Sequence, residues 1–110
     1  MASIEQEHMD IGKDRTLTET NDRRRECIIE DARTAVCKDR NKAYGEPKEN
    51  HTRIASLWSV ILEHEVKAHE VALCMAAVKT ARLIATPNHR DSWVDGVGYF
   101  AIGMECLTDE

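Results

Sequence analysis

The chain has 110 residues, 42% of them hydrophobic and 32% charged, which suits a single compact domain with a water-exposed exterior. Its formal net charge of −5 argues against a general nucleic-acid or anionic-membrane binder, since either would need a basic face. Cys27, Cys37, Cys74 and Cys106 are widely spaced, form no Cys-x-x-Cys pair and follow no apolar signal sequence. They read as free thiols. No apolar run reaches the roughly 20 residues that span a bilayer, so the expected protein is soluble and cytoplasmic.

In chain order, residues 1–22 are polar, with Ile4, Met9, Ile11 and Leu17 as the only candidate anchors. A flexible tail is expected there, and a single helical domain over 23–110. Arg23-Arg24-Arg25 is followed by Glu26, Glu30 and Asp31, and reads as a solvated helix start rather than a nucleic-acid contact. From Arg24 the pattern is helical, with Ile28, Ala32, Ala35 and Val36 on one face. Residues 41–45 form a break in which Gly45 can take a positive φ. Pro47 then suits the first turn of a helix whose Ile54, Leu57, Trp58 and Ile61 repeat at helical spacing.

Residues 63–67 read as a turn, and a third helix runs over about 68–85. Thr86-Pro87 ends it, because proline disfavours helical geometry in the residue before it. After a connector at 88–90, Asp91 is the expected N-cap of a final helix reaching about Leu107. Trp93, Val97, Phe100, Ala101 and Met104 give that helix one core face. Gly96 and Gly103 each cost about 1 kcal/mol relative to alanine inside a helix. Close backbone approach, within the chain or across a dimer, would compensate. No segment alternates like a strand. The expected fold is all-α: a four-helix antiparallel bundle, or a half-bundle completed by oligomerisation. Apolar residues left over on the far side of the last helix favour a homo-oligomer.

Residues 93–104 carry one charge, Asp95, and residues 71–85 carry two, Lys79 and Arg82. A charge within an apolar helix finds a partner. Asp95 therefore faces Lys79, Arg82 or both, as a core ion pair or as the lining of a polar pocket. Lys79 and Arg82 are three apart and make a reasonable grip for phosphate, or a counter-charge for the last helix. Asp91 and Asp95 are four apart and could form half of a Mg²⁺ site; otherwise Asp91 caps and Asp95 pairs. Tyr44-Gly45, with Arg40 before and Asn50-His51 after, could put an aromatic ring at a pocket mouth to stack on a base, or simply pack a connector. His64 and His69 are five apart, poor geometry for joint zinc ligation. No nucleophile elbow, Walker loop or dinucleotide fingerprint is present.

The stretches Arg40-Asn41-Lys42-Ala43-Tyr44-Gly45-Glu46-Pro47, Ile54-Ala55-Ser56-Leu57-Trp58 and Lys79-Thr80-Ala81-Arg82-Leu83 resemble a small, largely uncharacterised family common in phages and prophages. So do residues 71–75 and, most specifically, 87–99. That family is distantly similar to MazG-like all-α nucleotide pyrophosphohydrolases. The resemblance implies a helical, oligomeric protein that handles nucleoside triphosphates with Mg²⁺. The pyrophosphohydrolases hold the metal with Glu-Glu-x-x-Glu on one helix and Glu-x-x-Asp on another. Here the third helix offers Lys79 and Arg82 instead, and the last offers Ser92-x-x-Asp95, so only the aspartate carries over. The expected function is binding of a nucleotide or other phosphate-containing ligand by Lys79, Arg82, Asp95 and Tyr44, with or without hydrolysis. The rival is a non-enzymatic phage protein that inhibits or sequesters a host defence component, acting in the host cytoplasm.

Overall fold

The computed structural model describes residues 17–39 and 45–109, with side chains for 21–38 and 45–108. Helix α1 spans Leu17–Thr34 and runs into a π-helical turn at Ala35–Asp39. Helices α2, α3 and α4 span Pro47–Leu62, Ala68–Ala85 and Arg90–Cys106, and a 3₁₀ turn, Leu107–Asp109, follows. The fold is all-α, with no strand among the described residues. Helix α1 begins at Leu17, inside the segment whose composition suggests a tail, because Asn21, Asp22 and the arginines continue the helix without needing an apolar stripe. Residues 1–16 lie outside the described residues.

Local signals fix the ends of α2 and α3. Gly45 has φ +84°, a backbone geometry that costs glycine little, and Pro47 opens α2 where its missing N–H is not needed. At the other end Glu63 takes φ 59°, and its N–H bonds Ser59 O. The Ser59 hydroxyl donates to Ala55 O at 2.8 Å and accepts from Val66 N–H at 2.8 Å, which ties the turn back to the helix. The Lys67 N–H donates to the Glu70 carboxylate at 2.9 Å, satisfying one of the donors left over at the start of α3.

Helices α3 and α4 are antiparallel. Ala72 lies beside Gly103 and Lys79 beside Asp95, so one index falls as the other rises. Helix α1 lies along α4 in the same direction, with Asp31 against Arg90 and Val36 against Gly98. Ala55 of α2, Ala68 and Val71 of α3, and Ile102 and Cys106 of α4 form the buried centre. Ile54, Trp58, Met75 and Tyr99 pack around it.

Two expected faces are corrected. Helix α4 does not bury Trp93, Val97, Phe100, Ala101 and Met104, all of which are exposed. It buries Ser92, Val94, Gly98, Ile102, Gly103 and Cys106. The reason is closeness: a Cβ at Gly103 would stand 3.3 Å from the Ala72 Cβ, and one at Gly98 would stand 3.6 Å from a Val36 methyl. Only the small-residue side of α4 can approach its neighbours that tightly, whereas Gly96 faces open space. In α2, Leu57 and Ile61 are exposed, and the buried residues are His51 and Ala55. Asp91 is not the N-cap either. His89 takes that position without a side-chain cap, and Asp91 sits in the first turn, where a carboxylate still complements the helix dipole. The ring Nδ1 of His89 instead lies 2.8 Å from the hydroxyl of fully buried Ser92.

Candidate functional site

Lys79 and Asp95 meet across the α3–α4 seam. Nζ and Oδ2 are 3.0 Å apart, with about a fifth of each side chain exposed. The pair is neither a solvated surface bridge nor a sealed one. Of the two cations proposed for Asp95, the structure selects Lys79. Arg82 is exposed and pairs with no carboxylate among the described residues. Its guanidinium therefore stands in solvent, three residues along α3 from Lys79.

One helical turn from this pair, Met75 on α3 and Tyr99 on α4 line a cavity of about 280 Å³ closed on its third side by α2. That is close to the lower end of small-molecule pockets, roughly 300 Å³. Gly45, Asn50, His51 and Ile54 complete most of its wall. Gly45 follows Tyr44 directly in the chain, so the cavity wall begins where the proposed stacking residue ends. Tyr44 itself lies outside the described residues.

His51 is the unusual group here. It is 4% exposed, and its Nδ1 lies 2.9 Å from the carbonyl oxygen of Pro47. A carbonyl only accepts, so Nδ1 carries the proton, and in the neutral ring Nε2 is left as a bare lone pair. Nε2 is enclosed and has no hydrogen-bond partner among the described residues. Buried polar atoms without a partner are uncommon, because desolvation is not repaid by a bond. The ring sits against Tyr99, with centroids 6.0 Å apart and planes tilted by 56°. Asn50 accepts from the Arg53 guanidinium at 3.3 Å through its side-chain oxygen.

The proposed metal pair is separated in character. Asp91 is exposed, and Asp95 spends one carboxylate oxygen on Lys79. No group of three or more His, Cys, Asp or Glu side chains suited to a metal gathers among the described residues. Sequence reasoning placed His51 only at a pocket mouth and missed Tyr99. The spacing of His51, Ala55 and Trp58 on one face of α2 is the signal that would have turned the histidine inward.

Residues 27–107, which include His51, Lys79, Arg82, Asp91, Asp95 and Tyr99, match the family described as a domain of unknown function, DUF6378. The chain belongs to that family. It is 45% identical over 74 residues to the Gene 55 protein of Mycobacterium phage D29, covering 67% of this chain and 49% of the phage protein. It is 36% identical over 76 residues to the Gene 55 protein of Mycobacterium phage L5, covering 68% and 49%. The chain thus spans about half the length of the curated relatives it matches. No solved structure matches it. No helix among the described residues is long and apolar enough to cross a membrane.

Proposed function

We propose that this protein binds a nucleotide, or a similar ligand with a planar polar body and a phosphate, in the cavity between α2, α3 and α4, in the cytoplasm of the host cell. The observation that carries the reading is the enclosed Nε2 of His51, a residue of the cavity wall, which has no partner among the described residues and which a ligand would reach by a small shift of the ring. A buried lone pair calls for an N–H or O–H donor, and an amino or imino group of a base supplies one in a flat apolar body. Tyr99 and Met75 offer apolar surface on either side. The phosphate would lie toward the α3–α4 seam, where Lys79 is shared with Asp95 and Arg82 offers an uncommitted guanidinium. Tyr44, which directly precedes cavity-lining Gly45 in the sequence, is the proposed stacking residue. If the ligand carries Mg²⁺, Asp95 and Asp91 would be the residues to hold it, and the ion would offset the phosphate charge.

The test is calorimetric titration of the full chain with a panel of nucleoside mono-, di- and triphosphates, with and without Mg²⁺, beside inorganic pyrophosphate. Base-dependent binding that exceeds pyrophosphate binding is the expected result. No binding to any of them overturns the reading.

A second reading, an interaction protein directed at a host component, is favoured by one surface. Beside the α3–α4 connector, Arg23, Arg24 and Arg90 line a groove of about 920 Å³ together with Ile28, Ile29 and Trp93. Tryptophan and arginine over aliphatic side chains are the residues that dominate protein interfaces. Capture by a defined acidic host protein, lost on Arg23→Glu and Arg24→Glu, would test it.

A further inference from the structure

The groove beside the α3–α4 connector combines a fixed apolar wall with uncommitted positive charge. The Trp93 ring is held in place, because its Nε1–H donates to Pro87 O at 2.8 Å. The ring nevertheless stays 50% exposed, and Ile29, also in the lining, is 60% exposed. Among the arginines of the lining, Arg25 pairs with Asp22 and Arg90 with Asp31. Arg23 and Arg24 are exposed and join no carboxylate among the described residues. The occupant that complements such a groove carries apolar side chains for the wall, carboxylates for the two guanidiniums, and no cation of its own.

We infer that the chain's own residues 4–11 occupy this groove. The stretch reads Ile4-Glu5-Gln6-Glu7-His8-Met9-Asp10-Ile11. It holds three acids and three large apolar side chains, and no lysine or arginine. Reach allows the contact. Arg23 is six residues along α1 from Leu17, a rise of about 9 Å. Residues 12–16 span up to about 17 Å when extended, enough to return that far. From Arg23 to Ile29 the helix rises about another 9 Å, and eight residues cover that stretch even when helical, at about 12 Å. Glu5, Glu7 and Asp10 supply the carboxylates for Arg23 and Arg24, and Ile4, Met9 and Ile11 supply cover for Trp93 and Ile29. Tethering holds the segment at an effective concentration on the order of millimolar, so contacts too weak to retain a free peptide suffice. The inference needs no external partner and stands apart from the nucleotide reading. A host protein that used the same groove would have to displace the segment first.

A nitroxide on His8→Cys reads the contact in the full chain, with exposed Cys27, Cys37 and Cys74 changed to serine and buried Cys106 kept. The reporters are the indole N–H resonances of the chain's two tryptophans, Trp58 and Trp93. The Trp93 signal should lose most of its intensity, and the Trp58 signal much less. Adding Glu5→Lys, Glu7→Lys and Asp10→Lys, all outside the described helices, should return at least half of the Trp93 signal. Combining them with Arg23→Glu and Arg24→Glu should broaden it again, because the charges are complementary once more. Equal broadening of both tryptophans, or broadening of Trp93 that ignores the charge reversal, overturns the inference. So does broadening of Trp93 when nitroxide and isotope label sit on different chains, which would give the groove to the segment of a second copy.

Discussion

Lys79 on α3 and Asp95 on α4 are joined at 3.0 Å near the middle of the antiparallel pair, each about four-fifths shielded from solvent. Shielding strengthens the attraction, and it also raises the cost of leaving either charge alone. Asp95→Asn keeps the shape and strands Lys79. The expected loss is about 1–3 kcal/mol, between the small worth of exposed pairs and the 3–5 kcal/mol of breaking fully buried ones. Adding Lys79→Met should recover part of it, because no unpaired charge remains. Urea unfolding of the single and double variants measures both effects, and a single variant as stable as wild type would show that the seam tolerates a free ammonium.

This pair was legible because each charge interrupts an otherwise apolar run, and an enclosed charge has few ways to be satisfied. The ends of α2 and α3 were legible for a similar reason. Gly45, Pro47 and Pro87 act on the backbone locally, whatever packs later. The buried side of α4 was not legible, since Trp93, Val97, Phe100 and Met104 outweigh Gly98, Gly103 and Cys106 by apolar size. Packing reverses the order, because Ala72 and Val36 come too near for anything larger. Periodicity identifies an apolar stripe but cannot say whether this chain or another copy covers it. His51 was hidden differently: its spacing with Ala55 and Trp58 marks one face of α2, but a histidine there reads as polar until the tertiary contact with Tyr99 is known.

The two glycines of α4 singled out by spacing should respond in opposite ways. Gly96 has nothing within 4 Å of an added Cβ, so Gly96→Ala should stabilise the helix by up to about 1 kcal/mol. Gly103→Ala meets the Ala72 Cβ at 3.3 Å and should forfeit that gain. Gly103→Leu overpacks the seam and should cost about 1–3 kcal/mol. Thermal unfolding at fixed protein concentration ranks them. Equal stabilisation by alanine at both positions would contradict the closeness of α3 and α4.

Arg82 separates stability from binding. It is exposed and unpaired among the described residues, so Arg82→Ala should change stability by no more than about 0.5 kcal/mol. If its guanidinium grips the ligand phosphate, affinity should fall about tenfold or more, the worth of one charge-assisted bond. Arg82→Lys should restore only part of that, because an ammonium lacks the forked donors. Calorimetric titration with the best nucleotide reads the series, and unchanged affinity in Arg82→Ala would remove this residue from the site.

His51→Leu tests the lone pair that the functional reading rests on. Leucine fills much of the same space in a wall already lined by Ile54 and Met75, and it has no polar atom to leave unsatisfied. The substitution gives up the Nδ1–H bond to Pro47 O, worth about 1 kcal/mol, and removes an orphaned acceptor that costs about 1–3 kcal/mol. Stability should therefore hold or rise, which is unusual for a change at a buried position. Nucleotide affinity should fall ten- to hundredfold, with the loss confined to the base, so pyrophosphate should bind the variant as it binds the wild type. Melting temperature and titration on the same preparation give both numbers. A variant that melts well below wild type would mean that Nε2 is satisfied by a buried water and is structural. One that binds nucleotides with wild-type affinity would place the base elsewhere.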